Sequence, residues 1–521
     1  MQRRTDEILI VGGGTAGWLA AGILAARLNV RGQDAVKITL VESPNVPIMG
    51  VGEGTWPTMR TTLQTIGVNE GAFMRECEAT FKQGSEFINW RDNPEQAGRH
   101  GYFHPLSAVF HSAHEFNLAP YWLLGEAGGN AYDEASASQV FTCRNGLAPK
   151  KITTPAYMAI QNYSYHLDAH KFASFLTRHC TENLGVRHIR ANVTQVKVGH
   201  DGFIEGVATD HAQFPELEAD FFVDCSGSRA LLLGEALGVG WKSIRDTVFN
   251  DTALAVQVPY ESEDAPIATH TIATAHSIGW TWDIGLHTRR GVGMVYSNSH
   301  CERDEAERIL REYIGPRGKT LDVRKINFSL GYRRQFWKNN CVALGMSAAF
   351  IEPLEASAIF LIEAGANMLA EQFPRVREAM PLVEKKYNKI FAYRWDKTVD
   401  FIKLHYCISR RCDTQYWIDN RDPATVPESL RERLEYWRFH PPSRFDFDHA
   451  FEPFVLDSYL FVLYGMGFRT DLTMNRSAFG DEALARSHFK EVRQLNERLA
   501  GELPLQRELV EKAYRYGFST I

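Results

Sequence analysis

The sequence predicts an α/β fold built on a parallel sheet. A short apolar strand at Glu7–Val11 leads directly into the glycine-rich run G-G-G-T-A-G at 12–17. Small and apolar residues at helical spacing follow, and a second apolar strand at 36–41 ends at the acidic Glu42. This order of strand, glycines, helix, strand and acid is that of a Rossmann-like dinucleotide-binding unit.

The glycine-rich run has the chemistry of a phosphate-binding turn. Gly12 permits the tight turn, Gly14 lets the backbone approach a pyrophosphate, and Gly17 lets helix and strand pack closely. Thr15 and Ala16 complete the G-x-G-x-x-G pattern and open the helix. We therefore assign these five residues to cofactor binding.

The acid that ends the second strand does not separate NAD from FAD. Glu42 would accept hydrogen bonds from a ribose diol in either cofactor. Two other features favour FAD: the 521-residue length allows a large substrate portion inside the nucleotide fold, and a strand at 219–224 leads into D-C-S-G at 224–227. No second G-x-G-x-x-G run follows a later strand. We expect one FAD and no nicotinamide domain, so a separate agent must reduce the flavin.

The composition excludes several other classes of protein. There are 57 Lys and Arg residues against 63 Asp and Glu, and the net charge of -6 disfavours nucleic acid as a partner. Eight cysteines without a C-x-x-C pair argue against a disulfide scaffold and indicate a reducing compartment. The apolar run Ile8–Ala26 approaches the length of a membrane span, but glycines in its first half would weaken such a helix. The predicted location is the cytoplasm, with no membrane partner.

The rest of the chain is expected to form one interleaved body. We predict a cofactor-binding body over 1–365, with substrate-side insertions at about 85–185 and 245–340, and a mainly helical C-terminal portion over 366–521. Further expectations, from apolar spacing, are cavity loops at 100–160, a helix capped near Asp168, strands at 250–345, and helical patterns at 359–417 and 482–516.

Four ordered motifs outside the nucleotide unit point to one family. They are T-F-K at 80–82 with F-I-N-W at 87–90, W-T-W-D-I at 280–284, E-P-L-E at 352–355, and F-I-K-L-H-Y at 401–406 before D-T-Q-Y-W at 413–417. With these motifs the chain resembles the flavin-dependent tryptophan halogenase family over nearly all of residues 7–420. Gly285 departs from the family, which has proline at that place.

The resemblance implies which residues carry the reaction. Reduced FAD, O2 and bromide or chloride would form hypohalous acid, which a tunnel delivers to Lys82 for electrophilic halogenation of an indole or another electron-rich aromatic. Glu355 is the expected acidic partner, because a carboxylate near the ring stabilises a cationic intermediate and can take the departing proton. Trp280 and Trp282, which share a strand face, would screen the tunnel. Outside this context, the two tryptophans would be interpreted as core residues.

The resemblance also implies the halide and flavin contacts. In the family, the backbone amides two and three residues after the glutamate bind halide, and an isoleucine lies against the flavin; these are Ser357, Ala358 and Ile359 here. The family has glycine in place of Ala358, which has less freedom at positive φ. Halide preference therefore stays open, and bromide could be favoured over chloride. Val193 is the expected adenine contact.

The substrate side is less specific. His104, in F-H-P-L at 103–106, is the candidate for stacking on the substrate, although a lone histidine is more often structural. The segment 438–454 does not align with an amino-acid clamp, so a free indole or another small arene is as plausible as tryptophan. The expected partners are a small aromatic substrate, a separate NAD(P)H flavin reductase and a second copy of the chain as a homodimer.

Two rival interpretations stay open. An FAD-dependent aromatic monooxygenase would keep the cofactor motifs without requiring Lys82 or Glu355. A catalytically silent FAD-binding scaffold would also keep the motifs, and the presence of both side chains argues against it. His166 and His170 have the i, i+4 spacing of a helical metal pair, but no acid occupies the metalloprotease position, and we predict no metal site.

Overall fold

A computed structural model describes residues 3–28, 35–46, 52–96, 101–447 and 451–520. The chain divides into two compact units, each assembled from three separate stretches of sequence. The first unit comprises Met1–Ala79, Leu167–Ile244 and Phe328–Trp395, and the second comprises Thr80–His166, Arg245–Asn327 and Asp396–Ile521. The predicted division after residue 365 stays a prediction.

The strands of the described chain are short. In chain order they are β1 (Glu7–Val11), β2 (Lys37–Glu42), β3 (Glu53–Gly54), β4 (Thr80–Lys82), β5 (Gly84–Ile88), β6 (Tyr102–Pro105), β7 (Ser164–Leu167), β8 (Arg187–Arg190), β9 (Val193–Val198), β10 (Ile204–Thr209), β11 (Glu216–Glu218), β12 (Phe221–Asp224), β13 (Trp241–Ser243), β14 (Thr252–Pro259), β15 (Thr271–His276), β16 (Gly279–Gly285), β17 (Arg289–Tyr296), β18 (Arg324–Asn327), β19 (Gly331–Arg333), β20 (Trp337–Lys338), β21 (Cys341–Ala343) and β22 (Ala349–Phe350).

The α-helices range from one turn to seven or more. In chain order they are α1 (Thr15–Leu28), α2 (Thr58–Thr65), α3 (Glu70–Glu76), α4 (Ala119–Leu123), α5 (Tyr132–Ser136), α6 (Ser138–Arg144), α7 (Ala169–Glu182), α8 (Arg303–Ile314), α9 (Ser357–Glu371), α10 (Met380–Cys407), α11 (Gln415–Asn420), α12 (Glu428–Trp437), α13 (Leu456–Gly465), α14 (Glu482–Glu502) and α15 (Gln506–Tyr516). No helix among the described residues combines the length and apolar character needed to cross a membrane.

The first unit is organised by a six-stranded sheet in the order β20-β21-β12-β1-β2-β8. Five of these strands run parallel, and β20 joins antiparallel to β21. Strand β1 is central and buried, as its continuous apolar sequence predicts. Helix α1 packs against α7 and α9, and Gly22 allows close approach, because a Cβ there would lie 3.3 Å from Cys180 Sγ.

The second unit is organised by a seven-stranded mixed sheet in the order β18-β14-β17-β16-β15-β5-β6. Residues of β14 and β17 form one apolar cluster with Ala306, Ile309 and Leu310 of α8. A larger cluster joins Phe103 of β6 to the short helices α4, α5 and α6 and to α13 and α14. Among the described residues of the second unit, one apolar cluster therefore lies under α8 and another under the C-terminal helices, and a smaller one joins Leu147 to Leu499 and Leu503.

Most predicted elements of the first 60 residues and of 359–417 are confirmed, and three expectations elsewhere were wrong. Residues 100–160 hold β6 and three short helices in place of cavity loops, and α8 interrupts the predicted strands of 250–345. The predicted helix at 482–516 is divided into α14 and α15 at Pro504. Proline lacks a backbone N–H and clashes with the preceding helical turn.

Candidate active site

Backbone atoms leave no room for a larger residue at two positions of the glycine-rich turn in the first unit. Gly12 has φ +115°, and a Cβ there would lie 2.1 Å from the Cys225 carbonyl oxygen. A Cβ at Gly17 would lie 1.8 Å from the Gly12 carbonyl oxygen. Gly14 differs, since no atom lies within 4 Å of its hypothetical Cβ. Backbone atoms fill the space next to Gly12 and Gly17, whereas the space next to Gly14 is open.

Glu42 lies at the end of β2, where the sequence places it. Its Oε2 accepts a hydrogen bond from Trp18 Nε1 at 3.3 Å and lies 3.1 Å from His188 Nε2. The carboxylate is thereby held beside the glycines, because a Cβ at Gly13 would lie 2.3 Å from the same oxygen. The turn and its acid therefore form one preorganised corner. Val193, the expected adenine contact, begins β9 and is half-buried.

This corner fits the ADP half of a dinucleotide. Thr15 and Ala16 open α1, a 14-residue helix without an acidic residue in its first turn. The positive end of its dipole is thus available to a pyrophosphate. The open space beside Gly14 is where the backbone can approach the phosphates. A Cβ at Gly345 would lie 2.7 Å from Ala16 Cβ, so the G-M-S segment at 345–347 also borders this corner.

The E-P-L-E loop and the start of α9 form a second corner in the same unit. Glu355 is only 5% exposed, and its carbonyl oxygen accepts a hydrogen bond from Trp56 Nε1 at 2.8 Å. The Trp56 ring stacks on Phe360 with centroids 4.3 Å apart. Ala356 has φ +53° and precedes α9, whose first residues are Ser357 and Ala358.

This geometry corrects one premise of the halide prediction. The left-handed residue is Ala356, whereas Ala358 lies inside α9 with ordinary helical backbone. Alanine at 358 therefore carries no conformational strain, and its effect on halide preference is not a matter of φ. Helix α9 has no side-chain cap and no acid in its first turn, so its first amides can meet an anion. Ile359, the expected flavin contact, is buried.

Lys82 ends β4 in the second unit and is 2% exposed. Strand β4 pairs antiparallel with β7, which places Lys82 opposite Ser164 and Thr80 opposite His166. The pKa of His166 lies well below its usual value. Burial is the main cause, and the nearby charges of Lys82 and His270 lower it further. His166 is therefore neutral at pH 7, and its Nε2 lies 2.8 Å from Thr271 Oγ1.

The backbone on both sides of Lys82 is held by residues that are distant in the sequence. Gln506 donates from Nε2 to the Phe81 carbonyl at 2.7 Å and to the Ala268 carbonyl at 3.0 Å. The next amide, Gln83 N, donates to the Thr269 carbonyl at 2.8 Å. Nothing in the local sequence marks Gln506 as a residue that supports the Lys82 strand.

Trp280 and Trp282 lie on β16, as predicted, and both are buried. Their ring centroids are 6.4 Å apart, and Trp280 also lies 6.2 Å from Trp90. A Cβ at Gly293 of β17 would lie 2.1 Å from the Trp282 ring, so this glycine makes room for the indole. The pair forms an aromatic wall on one face of the sheet.

His104 is half-buried on β6 and lies among aromatic rings of the same unit. Its ring centroid is 6.0 Å from that of Phe401 and 6.1 Å from that of Phe461. His166 and His170 do not share a helix face, because His166 lies in β7 and His170 in α7.

Two glutamates of the first unit that the sequence did not single out have a raised pKa, the buried Glu363 and the half-buried Glu53. Burial raises the pKa of Glu363 to about 8, although the hydrogen bonds from Thr62 and Thr58 act to lower it. Thr62 Oγ1 donates at 2.5 Å and Thr58 Oγ1 at 3.2 Å. Burial also raises the pKa of Glu53 to about 7. Glu363 lies one helical turn after Ile359, so a protonated carboxyl group lies close in the chain to the proposed flavin contact.

Comparison with known proteins decides the family. The tryptophan halogenase family profile matches residues 7–479. A tryptophan 6-halogenase of Streptomyces toxytricini, SttH, is 34% identical over 97% of this chain and 98% of its own length. The solved structure of a tryptophan halogenase from Shewanella frigidimarina superposes with a TM-score of 0.96, at 44% identity and full coverage of both chains.

This chain belongs to the tryptophan halogenase family. A flavin-dependent halogenase from Brevundimonas, BrvH, has a similar structure at 32% identity, with a TM-score of 0.85 and coverage of 98% and 99% of the two chains. The predicted family, the Rossmann-like FAD-binding fold and the activity class of flavin-dependent halogenase are confirmed. The family implies the use of FAD and halide, and the monooxygenase alternative is not favoured. The individual site residues stay predictions.

Proposed function

We propose that this halogenase transfers halogen from hypohalous acid at Lys82 to an electron-rich arene, with indoles as the first substrate class to test. The observation that carries the proposal is the burial of Lys82 in a chain that matches the family from residue 7 to 479. A lysine out of water holds its ammonium among fixed partners, where it can donate a hydrogen bond to a small neutral oxidant.

The residues proposed to hold FAD are Gly12, Gly14, Thr15, Ala16, Gly17, Glu42, Val193 and Ile359. Bound FADH2 supplies the two electrons with which O2, halide and a proton give hypohalous acid and water. A halide beside this cofactor would bind the first amides of α9, at Ser357 and Ala358. The uncapped start of this helix supports the halide assignment.

At Lys82 the proposed transfer of halogen to the ring depends on the hydrogen-bond donor of the side chain, Nζ. A hydrogen bond from Nζ to the oxygen of hypohalous acid makes the halogen more electrophilic. The ring attacks the halogen, the halogen–oxygen bond breaks, and the ring proton leaves to restore aromaticity, so that arene and hypohalous acid become haloarene and water. Glu355 is proposed to stabilise the cationic ring and take this proton. Trp280 and Trp282 are proposed as tunnel residues and His104 as a substrate contact.

Several finer points belong to the same proposal. We expect a separate NAD(P)H flavin reductase to supply FADH2, since the chain contains a single dinucleotide fingerprint. Bromide and chloride are both candidates, and a cytoplasmic homodimer is the expected form.

The test is product mass spectrometry with purified protein, FAD, a flavin reductase, NADH, O2 and a panel of indoles, run with bromide and with chloride. We expect a halogen isotope pattern that disappears in Lys82→Met and decreases strongly in Glu355→Gln. Lys37→Met, at an exposed lysine of β2, is the matched control and should retain activity. A product that gains one oxygen atom and no halogen would support the monooxygenase alternative instead.

A further inference from the structure

His111, His488 and Glu491 bring three metal-ligating groups together in the second unit. One ligand atom from each residue lies within 4.8 Å of the other two. His111 Nε2 is 3.9 Å from Glu491 Oε2, and His488 Nδ1 is 3.7 Å from Glu491 Oε1. Ligand atoms bound to one tetrahedral ion at about 2.0–2.2 Å lie roughly 3.4 Å apart. Small rotations of these side chains would therefore place all three on one ion.

The buried member of this cluster has an unsatisfied nitrogen. His488 is 8% exposed, and its Nδ1 has no hydrogen-bond partner. The imidazole is surrounded by the rings of Phe110 and Phe116, with centroids at 5.9 Å and 5.2 Å. An unpaired buried nitrogen costs about 1–3 kcal/mol. A ligand at this nitrogen would remove that cost.

The segment that carries His111 has an unusual backbone. His111 and Ser112 are consecutive non-glycine residues with φ +62°. The Asp457 carboxylate accepts hydrogen bonds from the amides of Val109 at 2.9 Å and Ala113 at 3.1 Å, and so closes the turn from inside the protein. The position of His111 is therefore set by a buried carboxylate on α13 and not by solvent.

We propose that His111, His488 and Glu491 form a binding site for a divalent transition metal of the zinc type. Two imidazole nitrogens and a carboxylate oxygen suit Zn2+ and Co2+, and three protein ligands leave a position for water. His488 and Glu491 share one face of α14 at i, i+3 spacing, whereas His111 comes from the segment between β6 and α4. The ion links these two parts of the second unit and stabilises the folded state.

The experiment uses tag-free, FAD-loaded protein from which metal has been stripped by a chelator. Co2+ is titrated while its visible d–d absorption is followed, and Zn2+ binding is measured by calorimetry. We expect one equivalent of either ion, and a dissociation constant that rises about tenfold or more in His111→Ala and in Glu491→Gln. Both substitutions are at side chains 43–47% exposed, so the variants should fold.

His114→Ala is the matched control, because His114 is an exposed histidine of the same segment and does not belong to the cluster. This variant should bind Co2+ and Zn2+ like the wild type, and Zn2+ should raise the melting temperature of both. In His111→Ala that increase should be lost. Equal affinities in the wild type, His111→Ala and Glu491→Gln, or binding weaker than about 100 µM in the wild type, would overturn the proposal.

Discussion

The glycine-rich turn of the first unit and the Lys82 strand of the second are constructed in contrasting ways. The turn depends mainly on its own backbone, since Gly12 has φ +115° and Gly17 packs on the Gly12 carbonyl, although Gly12 also packs on the distant Cys225 carbonyl. The strand depends on partners far away in the sequence, and Gln506 donates to the neighbouring Phe81 carbonyl from 425 residues away. A site encoded in local backbone is visible in a sequence motif, whereas a site held by distant partners is visible only in part.

The largest expected effect is that of Gly12→Ala, which changes the glycine-rich turn itself. The substitution places a methyl group 2.1 Å from the Cys225 carbonyl at a backbone angle that alanine rarely adopts. We expect FAD binding to be lost and the free energy of unfolding to fall by about 3 kcal/mol or more. Thermal unfolding and FAD titration by flavin fluorescence measure the two effects.

Gly14→Ala is the matched control for this test. Its methyl group would enter open space, so stability should change by less than about 1 kcal/mol. FAD affinity should nevertheless decrease, because the methyl group occupies the approach to the pyrophosphate. Equal losses of stability in the two variants would contradict the description of the turn as packed at Gly12 and open at Gly14.

Gln506→Leu tests the distant support of the Lys82 strand. The substitution leaves the Phe81 and Ala268 carbonyls without their side-chain donor, and we expect a loss of about 2–4 kcal/mol in the free energy of unfolding. Halogenation should slow as well, because the strand that positions Lys82 is loosened. Gln494→Leu, at an exposed position of α14, is the control for both readouts. Full activity in Gln506→Leu would show that Lys82 is positioned without this residue.

Glu363→Gln tests a buried acid of the first unit through its pH dependence. Since the folded-state pKa of about 8 exceeds the unfolded value, the folded protein binds more protons between about pH 4.5 and 8. Wild-type stability should therefore fall relative to Glu363→Gln as pH rises through this range, and the difference should level off above pH 8. We expect a difference on the order of 1–3 kcal/mol at pH 8, measured by urea unfolding at several pH values.

The control for this prediction is Glu371→Gln, at the exposed end of the same helix. A parallel pair of stability curves for the wild type and Glu363→Gln would show that the buried carboxyl group is not held protonated. Such a result would also leave α9 with a negative charge one turn after Ile359.

The smallest expected effect is that of Trp56→Phe, which tests a contact intermediate between the locally formed turn and the distantly supported Lys82 strand. Trp56 and Glu355 share a unit but are 299 residues apart. Phenylalanine keeps the stacking on Phe360 and removes the hydrogen bond to the Glu355 carbonyl, so stability should fall by about 1 kcal/mol. If the amides at the start of α9 bind halide, the KM for halide should rise more than kcat falls. An unchanged KM would separate this hydrogen bond from halide binding.

The sequence predicted β1, β2 and the glycine-rich turn between them because their signals are local. Strand β1, the glycines and Glu42 lie within 42 residues and follow known rules of backbone geometry. The same rules placed the tryptophans of β16 on one strand. They failed at 100–160, where the short helices α4, α5 and α6 gain their stability from the C-terminal helices and not from their own periodicity.

The sequence by itself determined the glycine-rich turn, the position of Lys82 within a family motif and the E-P-L-E loop, since each is a short contiguous pattern. Only the tertiary structure decided that Ala356 and not Ala358 takes the left-handed conformation, that Glu363 is buried beside Thr62, and that His111 meets His488. The physical reason is the same in each case. A backbone angle at a helix start, a carboxyl pKa and a set of metal ligands depend on partners from other parts of the chain, which no local pattern specifies.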